Sequence, residues 1–385
     1  MIHVMHVITE LDVGGAEVML TKLLSAMDPG RFRHSVLSLK NKGPMAAQIE
    51  KLGISVFELN LHRPFSHLNS RSRLRKVLSR QRPALIQGWM YHGNLAASLF
   101  HFPNRRKRPV IWNIRHSLNS LKQEKILTRM VVRAGALFSG SPAGIIYNAH
   151  VSADQHAALG YSPKRAHVIP NGFDLKRFRP NRHVRQKLRS QLGVPKGGIL
   201  IGLIARYHPM KDHVNFLRAA SLIAKKSANV RFLILGRNVD NPASGLIRHV
   251  EALGLTNRVT FLGEHLDIES FLAALDIASL SSYGEGFPNV VGEAMACGIP
   301  CVVTDVGDCR RLVGKTGIVV PPRDAPALKK GWERLMDKGQ LERENLGSAA
   351  RRRMFENFEI SKIAGQYGEF YQRIMDSKRE RAKAP

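Results

Sequence analysis

The chain has 385 residues, of which 44 % are hydrophobic, and its 59 Lys and Arg against 30 Asp and Glu give a net charge of +29. That length holds two domains or more, each with its own core, and that composition is ordinary for a globular protein. Three cysteines (Cys297, Cys301 and Cys309) are too few for a disulfide framework and match no usual zinc spacing, so they read as small buried hydrophobes of a reducing compartment. No stretch reaches the roughly 18 apolar residues of a spanning helix.

The opening, MIHVMHVITELD, lacks a basic leader and a small-residue cleavage site. It reads as a first strand and places the protein in the cytoplasm, with a membrane surface as a possible station. Gly14 and Gly15 stand between that strand and the helical AEVMLTKLLSAM. They fit a plain tight turn, or exposed amides at a helix N-terminus that bind an anion. HSVLSL, ISVFEL, ALIQGW and PVIWNI continue as strands.

The charge is uneven: residues 51–150 hold seventeen Lys or Arg against two acids, Glu58 and Glu124. Such a field attracts nucleic acid, acidic lipid or phosphorylated substrates. Residues 71–82, RSRLRKVLSRQR, place Leu74, Val77 and Leu78 in a narrow apolar stripe flanked by Arg71, Arg75, Lys76 and Arg82. With NRRKR at 104–108 this predicts an anionic membrane surface as partner. The other reading packs the leucines on the sheet and turns the arginines to water.

A basic stretch at 171–186, NGFDLKRFRPNRHVRQ, marks the break between halves. Beyond it the alternation resumes. GILIGLIAR, VRFLILG, RVTFLG, DIASLSS and PCVVTD are strands; DHVNFLRAASLIAKK and LDIESFLAALD are helices. Strand–helix alternation of this kind predicts an α/β fold of parallel sheets covered on both faces, with ligands beyond the carboxyl ends of the strands. Arg206 and Lys211 follow GILIGLI at such an end, where two cations suit a diphosphate or are solvated loop charges.

GEGFPNVVGEAMACGIP, residues 284–300, combines a loop with a short helix that is apolar apart from Asn289 and Glu293. Pro288 suits the first helical position. A glutamate on an apolar helix reaches solvent or meets donors, from a side chain or from ligand hydroxyls. Glu293 lies four residues after Asn289, on the same face, and Glu285 lies on the loop. Gly286 lets a ligand approach the backbone. A sugar nucleotide has hydroxyls at both ends to meet both carboxylates.

That segment resembles the E-x7-E signature of the retaining glycosyltransferases of family four, which have the GT-B fold: two doubly wound Rossmann-like domains facing across a cleft. VGGAE, VIPNGFD, IARYHPMKD, PCVVTDVGD and TGIVVPP agree in order, and GWMYHGNLAA and WNIRHS look like a subgroup associated with bacterial surface polysaccharides. One departure is Gly236-Arg237-Asn238, where many relatives have G-x-G. The resemblance implies an acceptor-side domain over 1–175, a donor-nucleotide domain over 176–360, and a helix over 361–385 crossing back, with a frayed basic tail.

It also implies roles. Glu293 would hold the ribose hydroxyls and Glu285 those of the donor sugar. Backbone groups at Phe287, Pro288 (carbonyl only), Asn289 and Val290 would touch sugar or phosphate. Arg206 and Lys211 would neutralise the leaving diphosphate, helped by Gly14 and Gly15, and Leu262 would place a backbone group near the base. His116 would lie by the reacting sugar unless it is a core histidine; His92 is a candidate of the same kind. The implied reaction transfers a sugar from a nucleoside diphosphate, UDP by the family's majority, to a hydroxyl of a glycan or lipid-linked acceptor. The anomeric configuration is retained, and with no D-x-D motif neither metal nor cofactor is expected. Rival readings are a sugar-nucleotide epimerase or phosphorylase on the same fold, or a nucleic-acid-binding protein, for which no specific motif appears.

Overall fold

The structure, a computed structural model, describes residues 1–61, 66–101, 108–118, 121 and 125–383, with 66–71, 100–101 and 381–383 described in backbone only. Two compact units divide the chain: residues 1–172 with 360–385, and residues 173–359.

Unit 1 begins β1 (Ile2–Ile8), α1 (Gly15–Ala26), β2 (Phe32–Ser38), α2 (Gly43–Glu50), β3 (Ser55–Glu58), α3 (Ser66–Gln81) and β4 (Leu85–Trp89). It continues α4 (Met90–His101), β5 (Val110–Ile114), α5 (Ile126–Phe138), β6 (Gly144–Tyr147), α6 (His150–Ala158) and β7 (Ala166–Val168). Its strands pair in parallel in the order β3-β2-β1-β4-β5-β6-β7. The order reverses between β1 and β4, a switch point where strand ends leave a crevice.

Alternation along β1 sends Val4 and Ile8 to one face and Met5 and Val7 to the other. The first face is covered by α1, α2 and, from beyond unit 2, α15 (Ile360–Lys383), whose Tyr367, Phe370 and Tyr371 are buried in that core. The second face takes Leu74, Val77 and Leu78 of α3 with side chains of α4 and α5. The stripe on α3 therefore faces the sheet, while Arg73, Arg75, Lys76, Arg80 and Arg82 are exposed. The leucines cover core and are not free for a headgroup surface, which corrects the membrane reading of this helix. Residues 104–107 of the second basic cluster, and the side chain of Arg71, lie outside the described residues.

Unit 2 holds α7 (Arg182–Gln191), β8 (Ile199–Ile204), α8 (His213–Ala224), β9 (Val230–Leu235), α9 (Leu246–Ala252), β10 (Val259–Leu262) and α10 (Ile268–Ala274). There follow β11 (Ile277–Leu280), α11 (Asn289–Ala296), β12 (Cys301–Thr304), α12 (Cys309–Val313), β13 (Gly317–Val320), α13 (Ala325–Met336) and α14 (Gly339–Asn357). Its parallel sheet runs β10-β9-β8-β11-β12-β13, so the switch point lies between β8 and β11. The three cysteines are free thiols in this unit's interior, and burial pushes Cys297 up to about 12.

Candidate functional site

Two loops leave neighbouring strands at the switch point of unit 2. One follows β8 and carries Arg206, His208 and Lys211; the other follows β11 and carries Ser281 to Pro288. They are stitched together: the Tyr283 amide donates to the Met210 carbonyl at 3.0 Å, and Ser281 Oγ donates to the Lys211 carbonyl at 2.9 Å. Thr304 Oγ1 donates to the Ser282 carbonyl at 2.6 Å, and the Asp308 amide to the Gly286 carbonyl at 2.9 Å. Gly307, at φ 56°, backs this loop so closely that a Cβ would stand 2.4 Å from the Gly286 oxygen, so only glycine fits there.

Glu285 and Lys211, given separate tasks above, form one ion pair. Lys211 Nζ is 2.6 Å from Glu285 Oε1, with side-chain exposures of 24 % and 11 %. Ser282 Oγ donates to the same oxygen at 2.7 Å. Among the described residues no donor reaches Oε2, which leaves an acceptor for a ligand hydroxyl. Arg206, exposed, makes no hydrogen bond or ion pair among the described residues. Between the two cations, His208 is held below its ordinary value by burial, then by the charges of Arg206 and Lys211. Its Nδ1 accepts from the Met210 amide at 3.2 Å, which requires the neutral ring.

Asp212 adopts a left-handed conformation at φ 49° and caps α8 by accepting from the Asn215 amide at 3.2 Å. Burial raises its carboxyl, opposed by that bond and by the charges of Arg323 and Arg218. Arg323 is a further cation of the site that its place in PPRD gave no cause to single out. It stands beyond β13 at φ 58°, with its guanidinium carbon 4.1 Å from the centre of the Tyr283 ring.

Glu293 is half-buried on α11. Its charge helps raise Arg177, after the stronger effect of Glu269, whose Oε2 is 2.9 Å from the Arg177 guanidinium. A protein cation thus shares its surroundings. Pro288 precedes the helix at the cap, one position before the expected one. The Phe287 ring is buried, 6.2 Å from Phe173 and 5.9 Å from Phe358, so only its backbone is offered to a ligand. Asn289 is exposed and Val290 half-buried. The Leu262 carbonyl accepts from the Gly236 amide at 3.0 Å. Gly236 is itself required: a Cβ there would stand 2.3 Å from the Ala205 oxygen at the end of β8.

In unit 1, Gly14 caps α1 without a side-chain bond, and a Cβ on Gly15 would meet nothing within 4 Å. Among the described residues no packing requires glycine at 15. Its surroundings are acidic. Burial raises Glu17, its own backbone amide opposes this, and Glu10 and Asp12 push it up again. Glu10 is itself paired with Lys40, whose Nζ is 2.9 Å from its Oε2. His116, half-buried past β5, stands edge-on to Tyr91 at 6.3 Å, and its carbonyl accepts from Ser152 Oγ at 2.7 Å. His92 is exposed on the first turn of α4.

Two family models fall on the two units in tandem: "Glycosyltransferase Family 4" on residues 13–177 and "Glycosyl transferases group 1" on residues 198–338. The chain belongs to glycosyltransferase family four. This glycosyltransferase is similar to the putative glycosyltransferase EpsF of Bacillus subtilis, 26 % identical over 316 residues, 78 % of this chain and 79 % of that one. It is 34 % identical over 175 residues to a D-inositol 3-phosphate glycosyltransferase of Rhodococcus erythropolis, a match covering 43 % of this chain and 39 % of that protein. In fold it matches Alr3699/HepE of Anabaena with a TM-score of 0.83 at 24 % identity, covering 96 % of this chain and 100 % of that one. WaaG, a glycosyltransferase of lipopolysaccharide biosynthesis, matches with a TM-score of 0.67 at 15 % identity over 95 % and 99 %. The two parallel-sheet units of this glycosyltransferase are those of the GT-B fold.

Proposed function

We propose that this glycosyltransferase moves a sugar from a uridine diphosphate donor to a hydroxyl of a glycan or lipid-linked acceptor, as in cell-surface polysaccharide synthesis, with retention at the anomeric carbon. The observation that carries the reading is the Lys211–Glu285 pair, desolvated beside the exposed Arg206 at a topological switch point. The choice of uridine is supported by Alr3699/HepE, whose structures hold UDP, UDP-glucose, or UDP and glucose.

On this reading the bond between the anomeric carbon and the diphosphate oxygen breaks, and both its electrons leave with UDP. Arg206 and Lys211 stabilise the charge gathering on that oxygen, a task positive side chains perform without a metal. The acceptor oxygen bonds the anomeric carbon from the face the diphosphate leaves, and its proton passes to the departing phosphate. Glu285, pinned through Oε1, offers Oε2 to a donor-sugar hydroxyl and acts by positioning. Glu293 holds the ribose. The Gly14–Gly15 loop, with Glu17 beside it, meets hydroxyls, and His116 stands on the acceptor side.

A thermal-shift comparison of UDP-, GDP- and ADP-sugars tests the donor. A ligand at ~100 times its dissociation constant adds about 2.7 kcal/mol of apparent stability. A shift with UDP-sugars, and a product whose anomeric proton keeps the donor's configuration by NMR, is the expected result. Shifts with none of the three would defeat the reading.

A further inference from the structure

Exposed apolar side chains gather on one helix of unit 1. Ile126, Leu127, Met130, Leu137 and Phe138 of α5 are 55–84 % exposed. At about 100° per residue these five and Ala134 share an arc of ~120°. The opposite side is anchored. Val132 and Gly135 are buried, and Tyr161 donates its hydroxyl to the Val132 carbonyl at 3.0 Å, leaving no room for a Cβ at Gly135. The helix is thus apolar on the face it buries and on the face it shows to water. Leu99 of the adjoining α4 is 67 % exposed as well.

Positive charge borders one side of this arc. Arg129 and Arg133 border it on successive turns, and Lys125 precedes it. The helices α3, α4 and α5 pack on the same face of the sheet, and α3 turns Arg73, Arg75, Lys76 and Arg80 to solvent. Over residues 59–151 the chain has sixteen Lys or Arg and one acid, Glu124. A second copy of this chain would bring those cations face to face, which opposes self-association. A nucleic acid would find cations but no use for a row of Ile, Leu and Met.

We propose that α5 lies in the headgroup region of a membrane containing anionic lipid, its apolar arc toward the acyl chains and its arginines, with those of α3, at the phosphates. This differs from the expectation for α3, whose leucines serve the core. It does not depend on the donor chemistry of unit 2.

Vesicle cosedimentation tests it, using phosphatidylcholine alone and phosphatidylcholine with phosphatidylglycerol at two to one, at low and high salt. The full chain is expected to bind the anionic vesicles and to be weakened by salt. Leu127→Ser, Met130→Ser and Leu137→Ser together should cut partitioning about tenfold or more, as should Lys125→Glu with Arg133→Glu. These side chains, apart from Arg129, which is left in place, are exposed, so the melting temperature should hold. A Leu127→Trp reporter should become shielded from acrylamide on vesicle binding; the native tryptophans are fully buried and give a constant background. The proposal fails if the full chain ignores anionic vesicles, or if the triple variant binds as well as the parent. It fails too if the reporter stays quenchable on pelleted vesicles, or if the arc proves to mediate self-association without lipid binding.

Discussion

Past β1, the loop into α1 and the first turn of that helix carry Glu10, Asp12 and Glu17 around Gly14 and Gly15; past β8, the loop into α8 carries Arg206, His208 and Lys211. Both loops stand at the switch point of a doubly wound parallel sheet. The scaffold is the same and the sign of the charge is opposite. On the proposed reading topology decides where a ligand sits and the loop residues decide which ligand, a diphosphate over unit 2 and hydroxyl groups over unit 1.

The sharpest way to break this comparison is Lys211→Ala. It removes a donor to the leaving group, and turnover should fall by ~2.7–4 kcal/mol of transition-state stabilisation, about a hundred- to a thousandfold. Ordinary kinetics with an intact fold would return Lys211 to a surface cation. The units should also part in acid. In unit 1, burial holds His34 and His156 at about 4 and His6 well below its ordinary value, while in unit 2 only His213 is held at about 4. These histidines are neutral in the fold, and the unfolded chain binds protons near 6.5. Their stabilisation is complete above pH 6.5 and is lost as pH falls toward 4, by about 1.4 kcal/mol per pH unit for each such group. Hydrogen exchange between pH 6.5 and 4 should therefore show unit 1 opening first; equal loss in both units would contradict this.

Glu285→Gln leaves Lys211 half-desolvated without its counter-charge and should cost about 1–2 kcal/mol of stability as well as turnover, between the values for exposed and buried pairs. Paired with Lys211→Ala it should be clearly non-additive, and simple addition of the two losses would show that the residues act apart. Glu17→Gln probes the other side: acceptor KM should rise about tenfold, the size of one hydrogen bond to a charged group, with donor affinity unchanged. Tighter donor binding in that variant would place the phosphate beside Glu17 and overturn the contrast. The smallest effect is expected of Arg323→Gly. Glycine relieves the left-handed backbone, so stability should stay within about 1 kcal/mol, while loss of the contact with Tyr283 should slow turnover a few-fold.

Strands of unit 2 such as Ile199–Ile204 and Val230–Leu235 were legible because long apolar runs ended at turn residues. Strands β6 and β13 carry less of that signal: each opens on a glycine, a turn residue, which leaves a run of only three residues to show a strand. Helix α5 is hard to read for another reason: Thr128, Arg129 and Arg133 mark a polar side, but apolar side chains on both the buried and the exposed faces blur the 3.6-residue spacing. On α3 the stripe was legible but not its direction, because a core stripe and a lipid stripe look alike until a sheet lies beneath one of them. In the site, the wording around Glu285 and Glu293 pointed to a ligand. The pairing of Glu285 with Lys211, 74 residues earlier, and the stacking of Arg323 on Tyr283 are set by strand order, which no local pattern encodes.

Helix α15 carries a consequence for the order in which the protein is made. Unit 2 is continuous from residue 173 to 359, whereas unit 1 is closed by residues from 360 onward. Tyr367, Phe370 and Tyr371 are buried in the core of unit 1, and Tyr371 donates to Gln87. On the ribosome the first domain to begin emerging is therefore the last to be finished. Its sheet waits, with the part of one face that α15 covers left bare, through the synthesis of the whole nucleotide domain, and a nascent-chain chaperone has that interval in which to bind. A chain released at Glu359 should present a protease-resistant unit 2 tethered to a protease-labile unit 1.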